Sequence, residues 1–280
     1  MNIAIASGKG GTGKTTISVN LALSLDDAQL LDCDVEEPNC NIFLGYNLVK
    51  KDDVNILTPV IDKNNCNFCG KCADFCQFNA IAVLPGDIML FNTLCHGCGG
   101  CGIVCPMDAI DEEKRSIGTI EKSETEYGNL EFFQGLLNIG EAMASPVIKD
   151  LKKNINKNKN TIIDAPPGTA CPAIATLEDT DYCILVTEPT PFGYHDLLLT
   201  LDVVRELGIP FGIIINRCDV GDSKVEEFCY SENIPVLMKI PYDKNIAQLY
   251  SNGIPFVQKM PEWKKQFAQM FESIQSIDKY

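Results

Sequence analysis

The sequence predicts an α/β fold, a doubly wound and mainly parallel sheet, with a small α+β domain inserted into it. Three observations predict this. Short apolar runs alternate with helix-like segments along most of the 280 residues, and right-handed crossovers between such strands give a parallel sheet with helices on both faces. A glycine-rich turn directly follows the first apolar run. Residues 62–112 leave the alternating pattern and contain eight of the 14 cysteines.

Composition limits the classes of partner. The chain is 45% apolar, enough for one core and a small second domain. Its net charge of −15 disfavours binding to nucleic acid or to an anionic membrane. We recognise no signal peptide and no membrane span, so we expect a cytoplasmic protein. Disulfides are disfavoured there, and clustered cysteines then indicate metal.

The turn after the first strand, predicted at residues 3–6, fits the phosphate-binding pattern G-x-x-x-x-G-K-[ST] and precedes a predicted helix at 17–25. Backbone N–H groups of such a loop close around a phosphate, and the helix adds its positive end. Lys14 is expected to reach the β- and γ-phosphates and Thr15 to ligate Mg²⁺. The loop residues expected to bind nucleotide are Gly8, Lys9, Gly10, Gly11, Thr12, Gly13, Lys14, Thr15 and Thr16.

Two later apolar runs end in acidic residues. Residues 29–31 lead into Asp32 and Asp34, and residues 161–163 lead into Asp164. Ligands of parallel sheets lie beyond the carboxyl ends of the strands. We therefore expect Asp34 to point at the nucleotide, with a strand-end cap as the alternative, and Asp164 to lie near Mg²⁺. Gly168 is expected to present a free N–H to the γ-phosphate and to sense its loss.

The insert contains two runs of the form C-x2-C-x2-C-x3-C, at residues 66–76 and 95–105, with an offset of 29. Thiolates at this spacing can hold a [4Fe–4S] cluster, with zinc as the main rival. The second run ends in Cys-Pro and resembles bacterial two-cluster ferredoxins, whereas the first has Gln77 at that place. In those proteins the fourth cysteine of each run ligates the other cluster. The resemblance implies one cluster on Cys66, Cys69, Cys72 and Cys105, and another on Cys95, Cys98, Cys101 and Cys76. His96 is expected to lie at the surface or beside a cluster, and not to be a ligand of it.

The sequence of residues 8–15, GKGGTGKT, resembles the deviant P-loop of the MinD and ParA ATPases and of the nitrogenase iron protein. The resemblance implies an ATP-dependent homodimer in which Lys9 crosses the interface to the partner's nucleotide and Asp34 positions the attacking water. It therefore assigns catalytic roles to Lys9, Lys14 and Asp34. The segment from Asp164 to Gly168 resembles the Walker B and switch II segment. The residues that the resemblance brings to the adenine are Asn216, Arg217 and Pro241.

Other segments carry structural expectations. Residues 116–125 and 130–137 are predicted to be extended, with breaks at Gly128 and Gly135. Ser145 is predicted to cap a helix that leads into a lysine-rich run at 149–159, either a solvated helix end or a docking patch. A helix is predicted from His195 to about Leu207. Aromatic residues at helical spacing over 263–274 favour a docked core helix over a membrane-binding one. Cys171 is either an inert small residue or a thiol near the dimer axis.

Together these features resemble the MinD-superfamily ATPases that contain an inserted ferredoxin domain. Residues 1–61 and 113–280 would form one discontinuous ATPase domain, and residues 62–112 the ferredoxin domain. Three functions follow as alternatives. The favoured one is an ATP-gated electron donor to an unidentified acceptor. The second is a metallocluster assembly or insertion factor, against which the lack of a C-terminal Cys-x-x-Cys counts. The third is a MinD- or ParA-like positioning ATPase with structural or redox-sensing clusters.

Overall fold

The computed structural model describes residues 1–45, 47–123 and 130–277, except for the side chain of residue 277. The strands of the described part are β1 Asn2–Ala6, β2 Ala28–Asp32, β3 Leu48–Ile61, β4 Ile81–Leu84, β5 Asp87–Leu90, β6 Ile110–Ser123, β7 Glu131–Leu137, β8 Asn160–Asp164, β9 Tyr182–Thr187, β10 Phe211–Asn216 and β11 Val236–Ile240. The helices are α1 Lys14–Ala22, α2 Cys40–Leu44, α3 Lys71–Phe75, α4 Gly100–Ile103, α5 Ser145–Lys152, α6 Cys171–Leu177, α7 Pro191–Glu206, α8 Lys224–Ser231, α9 Lys244–Ser251 and α10 Pro261–Ile277.

The large sheet has nine strands in the order β11-β10-β9-β1-β8-β2-β7-β6-β3. Strands from β11 to β7 pair in parallel, which confirms the predicted mainly parallel α/β fold. Strands β6 and β3 extend the sheet by antiparallel pairing. Only seven residues separate β6 from β7, and a parallel crossover needs a dozen or more. The short connection therefore accounts for the antiparallel pairing of β6 with β7.

Alternate residues of β1 show how the two faces are covered. Ile3 and Ile5 lie in a core shared with α1 and α10. Ala4 and Ala6 lie in a second core, against α7 and α8. A third core packs α5 on β2, β7 and β8, and includes the buried Cys33. Helices cover both faces of the sheet as predicted, because its central strands have apolar side chains on each face.

The cysteine-rich segment leaves the sheet at its antiparallel edge. Strands β3 and β6 pair from Leu48 and Ser123 to Ile61 and Ile110. Between them lie α3, α4 and the β4–β5 hairpin. This segment has a small apolar cluster of its own, which includes Ile81 and Ile88. The chain thus enters and leaves the segment through one paired ribbon.

The structure corrects several predicted boundaries. Strand β7 continues through Gly135, where a Cβ would lie 2.7 Å from Val35 Cγ1 and 3.0 Å from Val147 Cγ1. The glycine makes room for α5 rather than breaking the strand. Ser145 is inside α5. The cap residue of this helix is Ala144, and no side chain makes a capping hydrogen bond there. Helix α7 begins four residues before His195, because Pro191 suits a first turn and the Thr190 side chain accepts the N–H of Gly193.

Other predictions on these segments have mixed outcomes. Residues 116–123 are extended as expected, whereas the predicted positions 124, 125 and 128 lie outside the described residues. Some lysines of the run at 149–159 have partners within the chain, and the choice between a solvated helix end and a docking patch stays a prediction. Lys152 donates to carbonyl oxygens at the end of α6, and Lys159 pairs with Asp27.

The last helix is docked. The side chains of Phe267, Phe271 and Ile274 are buried on α1 and the sheet, which confirms the prediction of a core helix. Among the described helices, none has the length and apolarity that crossing a membrane requires.

Candidate nucleotide site and cysteine cavities

An open cleft of about 1430 Å³ lies beyond the carboxyl ends of the central strands. The loop after β1, the loop after β2 and the segments after β10 and β11 all contribute to its walls. The predicted site residues that line it are Gly10, Gly11, Gly13, Lys14, Thr15, Thr16, Asp34, Asn216, Arg217 and Pro241. Tyr242, Asp243 and Tyr250 lie beside Pro241 in the same wall. The cleft thus combines a loop rich in N–H groups with a partly aromatic end.

Five predicted residues lie outside this lining: Gly8, Lys9, Thr12, Asp164 and Gly168. Thr12 and Asp164 are buried. The Gly168 N–H donates to the Ser7 carbonyl oxygen at 3.0 Å. The expectation of a free N–H is therefore wrong, because the segment after β8 is bonded to the end of β1. Contact with a phosphate would require this hydrogen bond to break.

Asp164 is the centre of a hydrogen-bonded group at the start of α1. Thr15 Oγ1 donates to its Oδ2, and Ser18 Oγ donates to its Oδ1, each at 2.7 Å. Cys40 Sγ lies 3.5 Å from Oδ2. Sequence reasoning missed Ser18, although its position one helical turn after Thr15 puts both hydroxyls on one face.

The two aspartates after β2 have different environments. Asp32 is fully buried, and its carboxylate accepts backbone N–H groups of Asp34, Asn39 and Cys40 at 2.9–3.1 Å. Asp34 is half-buried and lines the cleft. Asp32 therefore shapes the loop and fixes the start of α2, whereas Asp34 is available to a ligand.

Three carboxyl groups and one ammonium group share this region. Burial, and then repulsion by Asp164, raises the pKa of Asp32, and burial also raises the pKa of Asp164. Burial and Asp164 raise the pKa of Asp34 to about 6. Burial lowers the pKa of Lys14, opposed by the three carboxylates. A hard divalent cation next to Thr15 would offset this repulsion, so the oxygen donors fit Mg²⁺.

Two contacts beside the cleft link the loop to neighbouring strands. Asn216 Nδ2 donates to the Thr12 carbonyl oxygen at 2.8 Å. Glu188, after β9, lies 2.8 Å from Arg217 Nη1 and 3.8 Å from Lys9 Nζ. Sequence reasoning missed Glu188, although it is an acidic residue at a strand end, like Asp34.

The eight cysteines of the insert fall into two groups. One cavity is lined by Cys66, Cys69, Cys72 and Cys105. A second cavity is lined by Cys76, Cys95, Cys98 and Cys101. Each cavity thus takes three thiols from one run and the fourth from the other run, the grouping that the resemblance implies.

The two runs repeat in structure as well as in sequence. The N–H groups of Phe68 and Gly97 donate to Cys66 Sγ and Cys95 Sγ at 3.4 and 3.5 Å. Twelve residues further along, the N–H groups of Ala80 and Ala109 donate to Cys76 Sγ and Cys105 Sγ, both at 3.4 Å. All four contacts obey the offset of 29, so the predicted internal repeat is confirmed.

The donor chemistry of both cavities fits a thiolate-bound centre. Each has four thiols, and two sulfurs of each set accept backbone N–H groups, contacts that help to set the potential of an iron–sulfur centre. His96 lines the second cavity, but its ring stacks on Phe78 at 3.5 Å between centroids and 5° between planes. Four sulfurs per cavity suit a [4Fe–4S] cluster without a histidine ligand.

Comparison with known proteins identifies related chains. The model of the CobQ/CobB/MinD/ParA nucleotide binding domain matches residues 3–256. An uncharacterized protein of Methanocaldococcus jannaschii is 34% identical, with 92% of each chain covered. An iron-sulfur cluster carrier protein of Rickettsia typhi is 27% identical over 90% of this chain and 65% of its own. The MinD structure of Pyrococcus horikoshii with Mg-ADP has a TM-score of 0.60 at 22% identity, with 99% and 97% covered.

Proposed function

The chain belongs to the CobQ/CobB/MinD/ParA nucleotide-binding family, and from that premise we propose that it is an ATP-hydrolysing homodimer whose nucleotide state controls electron transfer through two [4Fe–4S] clusters. One observation carries the proposal: a chain with a phosphate-binding cleft also contains two separate cavities, each lined by four cysteines. Paired clusters of this kind exchange single electrons when bound.

The cleft residues divide the work of hydrolysis. The backbone N–H groups of the loop and the Lys14 ammonium group hold the β- and γ-phosphates, and Thr15 holds Mg²⁺. Asp34 orients a water molecule and accepts its proton as the water oxygen bonds to the γ-phosphorus. The bond from that phosphorus to the bridging oxygen breaks, and ADP leaves. Lys9 from the other subunit offsets the negative charge that develops.

The described contacts give a route from the cleft to the insert. Asp32 fixes the start of α2 through two N–H groups, and β3 follows α2 after three residues. The Val35 carbonyl oxygen accepts the N–H of Leu137 at 2.8 Å, which ties the same loop to β7. A change at Asp32 or Asp34 on ATP binding would therefore reach β3, which leads into the insert, and β7, which pairs with the strand that leaves it, β6.

The relatives favour a second candidate. Several are named iron-sulfur cluster carrier proteins, at 23–27% identity. If this chain shares that role, its clusters are cargo, and ATP governs their release to an apoprotein. The likeness to MinD structures is below 25% identity and concerns the fold alone, so it adds no support for a positioning function.

A redox titration followed by EPR tests the electron-transfer proposal. We would compare the reconstituted protein without nucleotide and the Asp34→Ala variant with ATP, which should bind ATP without cleaving it. We expect ATP to shift the midpoint potential of at least one cluster. Identical curves despite full ATP binding would contradict this coupling, and no iron signal after anaerobic purification would contradict the cluster assignment.

Iron transfer separates the two candidates. A carrier should lose iron to an apoferredoxin faster with ATP, whereas an electron donor should retain its iron over many turnovers. We would measure both iron retention and the reduction of a dye acceptor in one anaerobic reaction.

A further inference from the structure

We infer that Glu188 is a positioning residue for Lys9, which it holds within its own subunit until ATP-dependent closure draws the lysine to the partner's nucleotide. The inference rests on the proposed function, in which Lys9 acts across the dimer. Lys9 Nζ lies 3.8 Å from Glu188 Oε2. The other oxygen of this carboxylate lies 2.8 Å from Arg217 Nη1.

Close backbone packing fixes the two ends of this contact. A Cβ at Gly8 would lie 2.2 Å from the Asp196 carbonyl oxygen, and a Cβ at Gly193 would lie 2.3 Å from that of Glu188. Both contacts are on the first turns of α7. The phosphate-binding loop and the Glu188 turn are therefore held against one helix, so the Lys9 side chain can change partner without movement of either backbone segment.

The charges around Glu188 favour a contact with Lys9 that can break. Glu188 is only 8% exposed, and a buried carboxylate is costly without a cation. Arg217 supplies the closer cation and stays in place when Lys9 leaves. The Lys9 side chain is 33% exposed and lies farther away, so its contact is the weaker one. A polyphosphate has more negative charge than one carboxylate and can displace it.

The Glu188→Gln variant tests the inference, because it removes the charge and retains an amide that Arg217 can donate to. We expect its dimer, measured by sedimentation with Mg²⁺ and a non-hydrolysable ATP analogue, to form at about two- to five-fold lower protein concentration than that of the wild type. Glu232→Gln is the matched control. It removes an exposed ion pair with Arg205, at 3.0 Å, and should leave dimerisation unchanged.

The same substitution in a Lys9→Met background tests whether Glu188 acts through Lys9 or through Arg217. We expect Glu188→Gln to have no effect there, since the residue that it holds is gone. An effect that persists would show that Glu188 acts through Arg217 and would overturn the inference.

The sedimentation result distinguishes a failure of the inference about Glu188 from a failure of the proposed function. A wild type that dimerises with the analogue, together with an unchanged or weaker dimer for Glu188→Gln, overturns only the role of Glu188. A wild type that stays monomeric overturns the ATP-dependent dimer and, with it, the need to hold Lys9.

Discussion

Asp34 illustrates a conflict between stability and function at a single residue. Its pKa is raised to about 6, by burial and by Asp164, so the folded chain binds its proton more tightly than the unfolded chain does. The free energy of unfolding therefore falls as the pH rises from about 4 through 6. We expect Asp34→Asn to raise the melting temperature at pH 8 and to change it little below pH 4, while ATP hydrolysis is lost.

Asp202→Asn is the control for this prediction, because Asp202 is exposed on α7. Thermal melts at both pH values would be compared with steady-state hydrolysis. A destabilised Asp34→Asn protein at pH 8 would show that the carboxylate stabilises the fold, and the role of Asp34 in the cleft would need revision.

The sequence predicted residues whose type and position both carry a signal. Acidic residues at strand ends, the loop lysine and the cysteine spacing all fall in this class. It did not predict that the Gly168 N–H is bonded to Ser7 or that Glu188 lies beside Lys9. Those contacts join residues about 160 and 180 positions apart, and local pattern contains no information on such pairs.

At the scale of an element, Lys152 holds the end of α6. Its ammonium group donates to the carbonyl oxygens of Ala175, Thr176 and Glu178. Last-turn carbonyls lack helical partners, so Lys152→Met should lower the free energy of unfolding by about 1–3 kcal/mol. We also expect faster hydrogen exchange over residues 171–178.

Lys149→Met is the matched control, since Lys149 is exposed on the same helix. Chemical denaturation and exchange mass spectrometry would be run on both variants. Equal effects of the two substitutions would mean that the lysine-rich run acts only through its charge, and that the three carbonyl contacts contribute little.

The second element is β7 with the helix that covers it. Gly135→Ala should destabilise the protein by about 1–3 kcal/mol, because the added methyl group would overlap Val35 and Val147. Denaturation of the two single variants, Gly135→Ala and Val35→Ala, and of the double variant tests the cause. The second change should recover part of the loss, and strictly additive effects would contradict the overlap.

Gly135 also shows why the sequence predicted a strand break where β7 in fact continues. A glycine within an apolar run is ambiguous between a strand break and a close approach. Only the position of α5, set by the whole chain, decides between them. The same limit applies to the pairing of β3 with β6, which are separated in the sequence by the cysteine-rich segment.

At the scale of the whole molecule, we expect the paired ribbon of β3 and β6 to allow removal of the segment between them. The ribbon closes at Ile61 and Ile110, so an Asn-Gly turn can replace residues 62–109. We expect this variant to fold, to bind ATP and to dimerise with the analogue, but to contain no iron. Circular dichroism, ATP binding, sedimentation and iron analysis would check the four expectations in turn.

The expected cost of this deletion is small but not zero. The second cysteine run lies against β3, where a Cβ at Gly97 would come within 2.7 Å of the Leu57 carbonyl oxygen and 3.3 Å of Ile56 Cβ. Removing the insert uncovers Ile56, and we expect a loss of about 1–2 kcal/mol. If the variant instead loses ATP binding, the insert must support the loop from Asp32 to α2. The proposed coupling between the cleft and the cysteines would then include a shared requirement for folding, in addition to a response to ATP binding.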